Sequence, residues 1–453
     1  MNPSFDAIDH LHVHVADRPA AEAWYQRVLG LRRLPELEHW AQGGGPLTLG
    51  DAAGRLHLAL FQRPPQGGMP TIALRVSAAG LLDWRAHLRR ELGQAPALVD
   101  HGESRSIYFQ DPDGNGFEIT SYEREGDGPV LRELLDEELA RAPEYLDAQR
   151  ASSGELPASG GAYSSHLPMA LHALASLGAD QARLRDWAAT AFASVPALAR
   201  WPALEQAEQR MAEALQRDGV GATLMRRLPA LMPGCGGMAF HLLIRSAHAW
   251  ESGHRAQLAR ALAYWTLRSS PLPGPAEIEG ERLGLADWAE ALLALPLPAG
   301  MNQPWISARM LHAAAQPAFQ QIAPRLRLEP GLLAEIARWA AATYAGSGNF
   351  TILHALTASR AMGQLLPLLP PASRPSALRD FTRQLGAALI ASRWRGELGE
   401  PPAASTWDAL RAAAIAHEDE HAIKLVHAAW QLGRTDSDPV WRQAAARALA
   451  AFR

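Results

Sequence analysis

Of the 43 basic residues in this 453-residue chain, a single one, Lys424, is a lysine. A bias toward arginine replaces lysine wherever a permanent cation suffices, so Lys424 marks a position that guanidinium does not serve. Arginine stays protonated, whereas a buried lysine can lose its proton and act as a nucleophilic or CO2-accepting amine. Chance survival of one lysine is the plain alternative. Lys424 stands in AAAIAHEDEHAIKLVHAAW, beside His417, His421 and His427. At about 100° per residue on one helix, His417, His421 and Lys424 fall within about 60° of one another, while His427 points elsewhere. One of Glu418, Asp419 and Glu420, at the border of that face, could orient a ligating imidazole.

Three further segments place histidines among apolar residues. SSHLPMALHALASLGA sets His166 just before Pro168, in a loop-to-helix position. GGMAFHLLIRSAHAWES sets His241 after a Gly-rich bend, with His248 seven residues on and on the same face. GSGNFTILHALTASRA carries His354 in a nearly uncharged stretch. Solvent-facing positions hereabouts hold Arg, Glu, Asp and Gln, so these histidines need another explanation. Singly, each reads as a core residue bonded to a carbonyl. As a set they offer imidazoles to one ion, and imidazole suits iron, zinc, copper and nickel. Neither HExxH nor a Cys pair is present, so the known zinc patterns do not apply. His417 and His248 are the candidate general bases, and Phe240, Trp250 and Phe350 could stack on a flat substrate.

The elements that must position these residues divide the chain in two, an α+β two-domain architecture. Over 1–122, an alternating strand (Ile8 to Val15), an amphipathic helix closed by Gly30 and short strands are followed by a second strand, helix and strands. These are paired βαβββ modules, with the turn DPDGNG at 111–116 between the last two strands. Residues 123–162 read as a charged helix, VLRELLDEELARAPEYLDAQRA, and a Gly/Ser-rich connector. From 163 to 453 the chain is rich in Ala, Leu and Trp with helical periodicity, an all-α domain.

IDHLHVHVAD, AWYQRVLGL and YFQDPDGNGFEI make residues 5–122 resemble the vicinal-oxygen-chelate superfamily of glyoxalases, extradiol dioxygenases and bleomycin- or fosfomycin-resistance proteins. The resemblance implies metal ligands from the first strand, the start of the second module and the last strand. His10 and Glu118 match, but the second-module position is Thr71, and a fourth position used by some glyoxalases falls near Ala59. His12 or His14, at period two from His10, could compensate. A cup that serves dimerisation or substrate enclosure is the competing expectation.

In the second domain, HLPMALHALASLGA, AFHLLIRSAHAW, ALAYW, NFTILHALTAS and DEHAIKLVHA, in this order over about 163–430, resemble the questin oxidase family. That resemblance implies a helical oxygenase acting on anthraquinone-type polyketides by Baeyer–Villiger-like or ring-opening oxidation. It also implies Fe(II) held by four histidines and a lysine carboxylated by CO2. Carried over by motif, the ligands are His166, His241, His354, His421 and Lys424, so the sole lysine falls on the carbamate position. Departures at Ser164–Ser165, where the family has Asn, and at Leu242, where it has Pro, bear on pocket shape and hence on substrate.

Bulk properties bound the rest. A net charge of −4 argues against a nucleic-acid partner, and no apolar run approaches the roughly 18–20 residues that span a bilayer. The single cysteine, Cys235, excludes an intramolecular disulfide; with no signal segment at the N-terminus, a cytoplasmic enzyme is expected. The expected partners are O2 and an aromatic, quinone-like substrate, with an NADPH requirement and a homodimer left open. Two rival functions stand beside the oxygenase: a metal-dependent lyase or dioxygenase working through His10 and Glu118, and a non-catalytic protein that sequesters a ligand.

Overall fold

The structure, a computed structural model, describes residues 10–51, 56–64, 71–76, 78–100, 105–121, 128–141, 145–146, 162–163, 165–194, 201–434 and 436–452. It divides into two compact units, Met1–Arg124 and Glu125–Arg453.

In the first unit the strands form two four-stranded sheets. One runs β1 (Leu11–Val15), β4 (His57–Gln62), β3 (Leu47–Gly50), β2 (Arg32–Arg33); the other runs β5 (Ile72–Arg75), β8 (Gly116–Ser121), β7 (Arg105–Gln110), β6 (Leu98–Asp100). In each, the first strand of the module pairs in parallel with the last, Leu11 opposite Leu58 and Ile72 opposite Phe117. The order is the same in both modules, so the repeat expected from the sequence is a repeat of topology. Helix α1 (Arg18–Leu29) starts at an Asp17 cap and stops at Gly30, whose φ of 69° is left-handed. The tight turn at 111–116 is held from inside. Asp111 accepts from Tyr25 Oη at 2.6 Å and from the Asn115 N–H at 2.8 Å, and Asn115 Nδ2 donates to the His14 carbonyl at 3.1 Å.

The second unit is helical. Helix α2 (Pro129–Ala140) belongs to its core: Val130, Leu131, Leu134 and Leu135 pack among Leu171, Leu174 and Trp187. Each of those four side chains contributes roughly 1.5–3 kcal/mol by its burial. The sequence groups this helix with a connector and carries it to about residue 151, but it ends at Ala140. Pro143 lies just beyond and cannot continue the helical ladder, and Tyr145–Leu146 pairs as a short strand with Ala162–Tyr163. The Gly/Ser connector itself lies outside the described residues. Among the described residues no helix is long and apolar enough to cross a membrane.

Candidate metal centre

Four helices of the second unit, Leu167–Leu177, His241–Glu251, Phe350–Leu365 and Glu420–Gly433, pack in a closed ring, each against two neighbours. Their sequences suit a central position. The Phe350–Leu365 helix is buried on nearly every side, unlike a surface helix with one apolar stripe. Local chemistry fixes where each begins. Asn349 Oδ1 accepts from the Thr351 N–H at 2.9 Å, and Asp419 Oδ1 accepts from the His421 and Ala422 N–H groups at 2.8 and 3.0 Å. His166 is the cap residue of the Leu167–Leu177 helix, with Pro168 in its first turn. The preceding Ser165 donates to Glu138 of α2 at 2.9 Å, so α2 anchors the entry to this helix.

The start of the His241–Glu251 helix is strained. Met238, Ala239 and Phe240 have φ of 53°, 54° and 68°, left-handed values that cost side-chain-bearing residues on the order of 1–2 kcal/mol each. A Cβ on Gly237 would lie 2.7 Å from Leu242 Cδ1 and 2.9 Å from the Arg268 carbonyl, so the bend tolerates only glycine there. What this distortion achieves is visible at its end: the Met238 carbonyl accepts from His241 Nδ1 at 2.5 Å.

At the N-terminal end of the ring, four imidazoles meet. Ring centroids are 4.4 Å apart for His166 and His241, 4.8 Å for His166 and His421, 5.0 Å for His241 and His354, and 5.8 Å for His354 and His421. Ligand atoms of His166, His241 and His421 lie within 4.8 Å of one another. Bonds of about 2.1 Å to one ion would put such atoms about 3–4.2 Å apart, so small rotations suffice. The outer nitrogens are already engaged. His354 Nδ1 donates to the Phe350 carbonyl at 2.8 Å, His166 Nδ1 faces Glu420 Oε1 at 3.2 Å, and His421 Nδ1 lies 3.7 Å from Asp419. With Nδ1 held, the imidazole presents Nε2 inward, the arrangement that orients metal-bound histidines. His241 Nε2 is buried with no hydrogen-bond partner. A transition-metal ion fits this donor set.

Burial pushes all four imidazoles toward the neutral form: His166 and His241 well below the ordinary histidine range, His354 down to about 3, and His421 downward as well. Lys424, 4% exposed, lies within the electrostatic reach of all four. Its own pKa falls to about 8 through burial, with Glu420 and Asp419 opposing the shift. The convergence of helix N-termini adds to this. Partial positive charge at those ends disfavours ammonium and imidazolium and favours an anion.

Of the residues carried over by motif, His166, His241 and His421 converge, the His354 ring lies beside them, and Lys424 is within their electrostatic reach. The expected bases do not join them. His417 lies in the loop before the helix, which begins only at Glu420, so the one-face argument does not extend to it; its Nδ1 accepts from the Asp419 N–H at 3.0 Å. His248 lies deeper, its Nδ1 2.8 Å from His172 Nδ1. Of the aromatic candidates, Phe350 is 45% exposed with its ring 4.8 and 4.9 Å from those of His354 and His421, whereas Phe240 and Trp250 are buried in the core. Sequence reasoning missed His172, Glu251 and Arg360 and turned His427 away. The signal was present: polar residues in otherwise apolar helical runs.

In the first unit the matching residues form no comparable group. His10 Nε2 lies 3.0 Å from His12 Nε2, Glu118 accepts from Ser106 Oγ at 2.5 Å, and no set of three ligand atoms converges among the described residues of this unit. A cavity of about 410 Å³ does open there, lined in part by His10, Asp51, His57, Arg75 and Trp84.

The paired βαβββ sheets define this unit as a glyoxalase-type domain. Residues 7–119 match the family described as Glyoxalase/Bleomycin resistance protein/Dioxygenase superfamily. Among solved structures, lactoylglutathione lyase from Agrobacterium tumefaciens is 22% identical, covering 26% of this chain and 95% of its own, with a TM-score of 0.21. The fosfomycin resistance protein FosX from Listeria monocytogenes is 19% identical, covering 26% of this chain and 94% of its own, with a TM-score of 0.21. No curated protein matches the chain.

Proposed function

We propose that the helical unit is a non-haem iron oxygenase that oxidises or cleaves a C–C bond of an aromatic, quinone-like substrate. His166, His241, His354, His421 and a carboxylated Lys424 would hold the metal. The observation that carries this reading is the meeting of four neutral imidazoles with the only lysine of the chain at one buried point. Ferrous iron bound there would supply a Lewis-acidic, redox-active centre with room for O2.

The chain's own residues prepare that centre. With a pKa of about 8, Lys424 has an appreciable neutral fraction near neutral pH. Its lone pair adds to the carbon of CO2, one C–O π pair moves onto oxygen, and a proton leaves the nitrogen. The product is an anionic carbamate, which would add an oxygen donor beside Glu420 and Asp419. Glu420 holds the imidazole of His166 by its outer nitrogen, and Asp419 lies 3.7 Å from that of His421. Phe350 gives the mouth of the site an apolar ring face against which a flat substrate can lie.

The test is oxygen uptake by iron-loaded protein in bicarbonate buffer with polyhydroxylated anthraquinones, with and without NADPH, the product mass read after labelling with 18O2. Wild type should consume O2 and Lys424→Arg, which cannot carry the carbamate, should not. Equal uptake by the two would end the proposal. A second reading is favoured by the cavity in the glyoxalase-type domain, where metal-dependent chemistry would use His10 and its neighbours. It requires activity that His10→Ala abolishes and Lys424→Arg leaves intact.

A further inference from the structure

The four ring helices carry a second set of polar side chains farther from their N-termini. His172 follows His166 by six residues, His248 follows His241 by seven, Arg360 follows His354 by six, and His427 follows His421 by six. At about 1.5 Å per residue, this places a second layer about 9–10 Å below the first. In every helix the upper histidine precedes its lower group, so the four helices run in the same direction through both layers.

The lower layer is sealed and polar. His172 and His427 are fully buried, and His248 and Glu251 are 4% and 3% exposed. His172 and His248 approach through their Nδ1 atoms at 2.8 Å, and ligand atoms of His172, His248 and Glu251 lie within 4.8 Å of one another. The His427 ring is 5.7 Å from that of His172 and 5.3 Å from that of His248. Both of its nitrogens are buried without a hydrogen-bond partner. Leaving such a group unsatisfied costs on the order of 1–3 kcal/mol, and a leucine or phenylalanine would fill the space without that penalty. Glu251 is ion-paired with Arg360, whose Nε also donates to Gln431 Oε1 at 2.6 Å. That pair holds the carboxylate in place and leaves the layer formally uncharged before any cation enters.

We propose that this lower layer is a second transition-metal site, with His172, His248 and His427 as ligands and Glu251 as the neighbouring carboxylate. Three imidazoles select zinc, copper, iron or nickel; calcium and magnesium, which need a shell of oxygens, do not match it. Binding would replace the proton shared by the two Nδ1 atoms and would need them to part by only a few tenths of an ångström. It would also engage one of the unpartnered His427 nitrogens. This inference is independent of the iron reading of the upper layer.

The test uses the full chain, produced in cobalt-supplemented medium with bicarbonate and purified without chelators, with cobalt per chain measured by plasma mass spectrometry. Wild type should hold two ions, Lys424→Ala one, His427→Gln one, and the double variant none. The His427→Gln protein should keep the absorption of the upper ion and lose only that of the lower. His172→Gln gives a second route to the same loss should His427→Gln fail to fold. Cobalt content unchanged in His427→Gln or His172→Gln overturns the lower site, whatever the total. Loss in those variants with none in Lys424→Ala supports the lower site while removing the upper one.

Discussion

Both units of this protein place histidines close together, but by different means. In the glyoxalase-type unit, His10, just before β1, and His12 on it are exposed, with their Nε2 atoms turned to each other. In the helical unit the four upper histidines come from four different helices and are buried or half-buried, and Nδ1 of His166, His241 and His354 meets a carboxylate or carbonyl oxygen. Alternation along a strand puts like residues side by side at no structural cost, and without further elements it gives no inward-facing cage. Convergence from four helices needs caps, a strained left-handed bend and a buried lysine.

The sharpest way to break this contrast is acid. His166, His241, His248 and His427 are held well below their unfolded pKa of 6.5, and His354 is lowered to about 3, all chiefly by burial. Between the folded and unfolded values the unfolded chain binds more protons. Stability is therefore fully present above about pH 6.5 and is lost as pH falls toward 3. Each such imidazole contributes a slope of about 1.4 kcal/mol per pH unit. Lowering the pH of metal-free protein from 7 to 5.5 should then remove a substantial share of the roughly 5–15 kcal/mol typical of a folded domain. Urea midpoints followed by helical circular dichroism should fall steeply over that range. A flat midpoint would mean that the histidines are solvated and the cage does not exist.

Much of this arrangement was legible in the residues. Topological repetition in the first unit followed from strand alternation and from turn chemistry at Asp111–Gly116, both local signals. The ligand helices were legible because His241 and His354 interrupt apolar runs, and Lys424 because it has no counterpart in the composition. The depth of the site was not. His427 lies off the His421 face by helical geometry, and a single helix gives no sign that a second layer waits below the first. Nor could local sequence show that the helix holding Lys424 begins at Glu420, because Ala416–Asp419 carries no proline or glycine to mark the break. Asp419 marks it only through its capping bonds.

A smaller effect sharpens the comparison. Glu420 bonds His166 from outside the cage, and removing its charge should loosen the imidazole without deleting a ligand. Glu420→Gln should weaken metal affinity by about 10- to 100-fold, the usual range for the loss of an outer-shell partner. Competition with a chromophoric chelator would measure it. Wild-type affinity in this variant would reduce Glu420 to a surface acid.

The smallest effect belongs to the other unit. His10 is exposed, so His10→Ala removes no core volume. Such surface changes stay within about 0.5 kcal/mol. Metal content and thermal midpoint should match wild type, and oxygen uptake should be unchanged if chemistry resides among the helices. His10 also lines the 410 Å³ cavity with His57 and Asp51, so a ligand held there would feel its loss even where metal and stability do not. Weakened binding of a quinone-like substrate with unchanged turnover at saturation would assign the cup to capture and the helices to reaction. A fall in turnover at saturation would instead move the chemistry into the cup and leave the buried cage without a catalytic task.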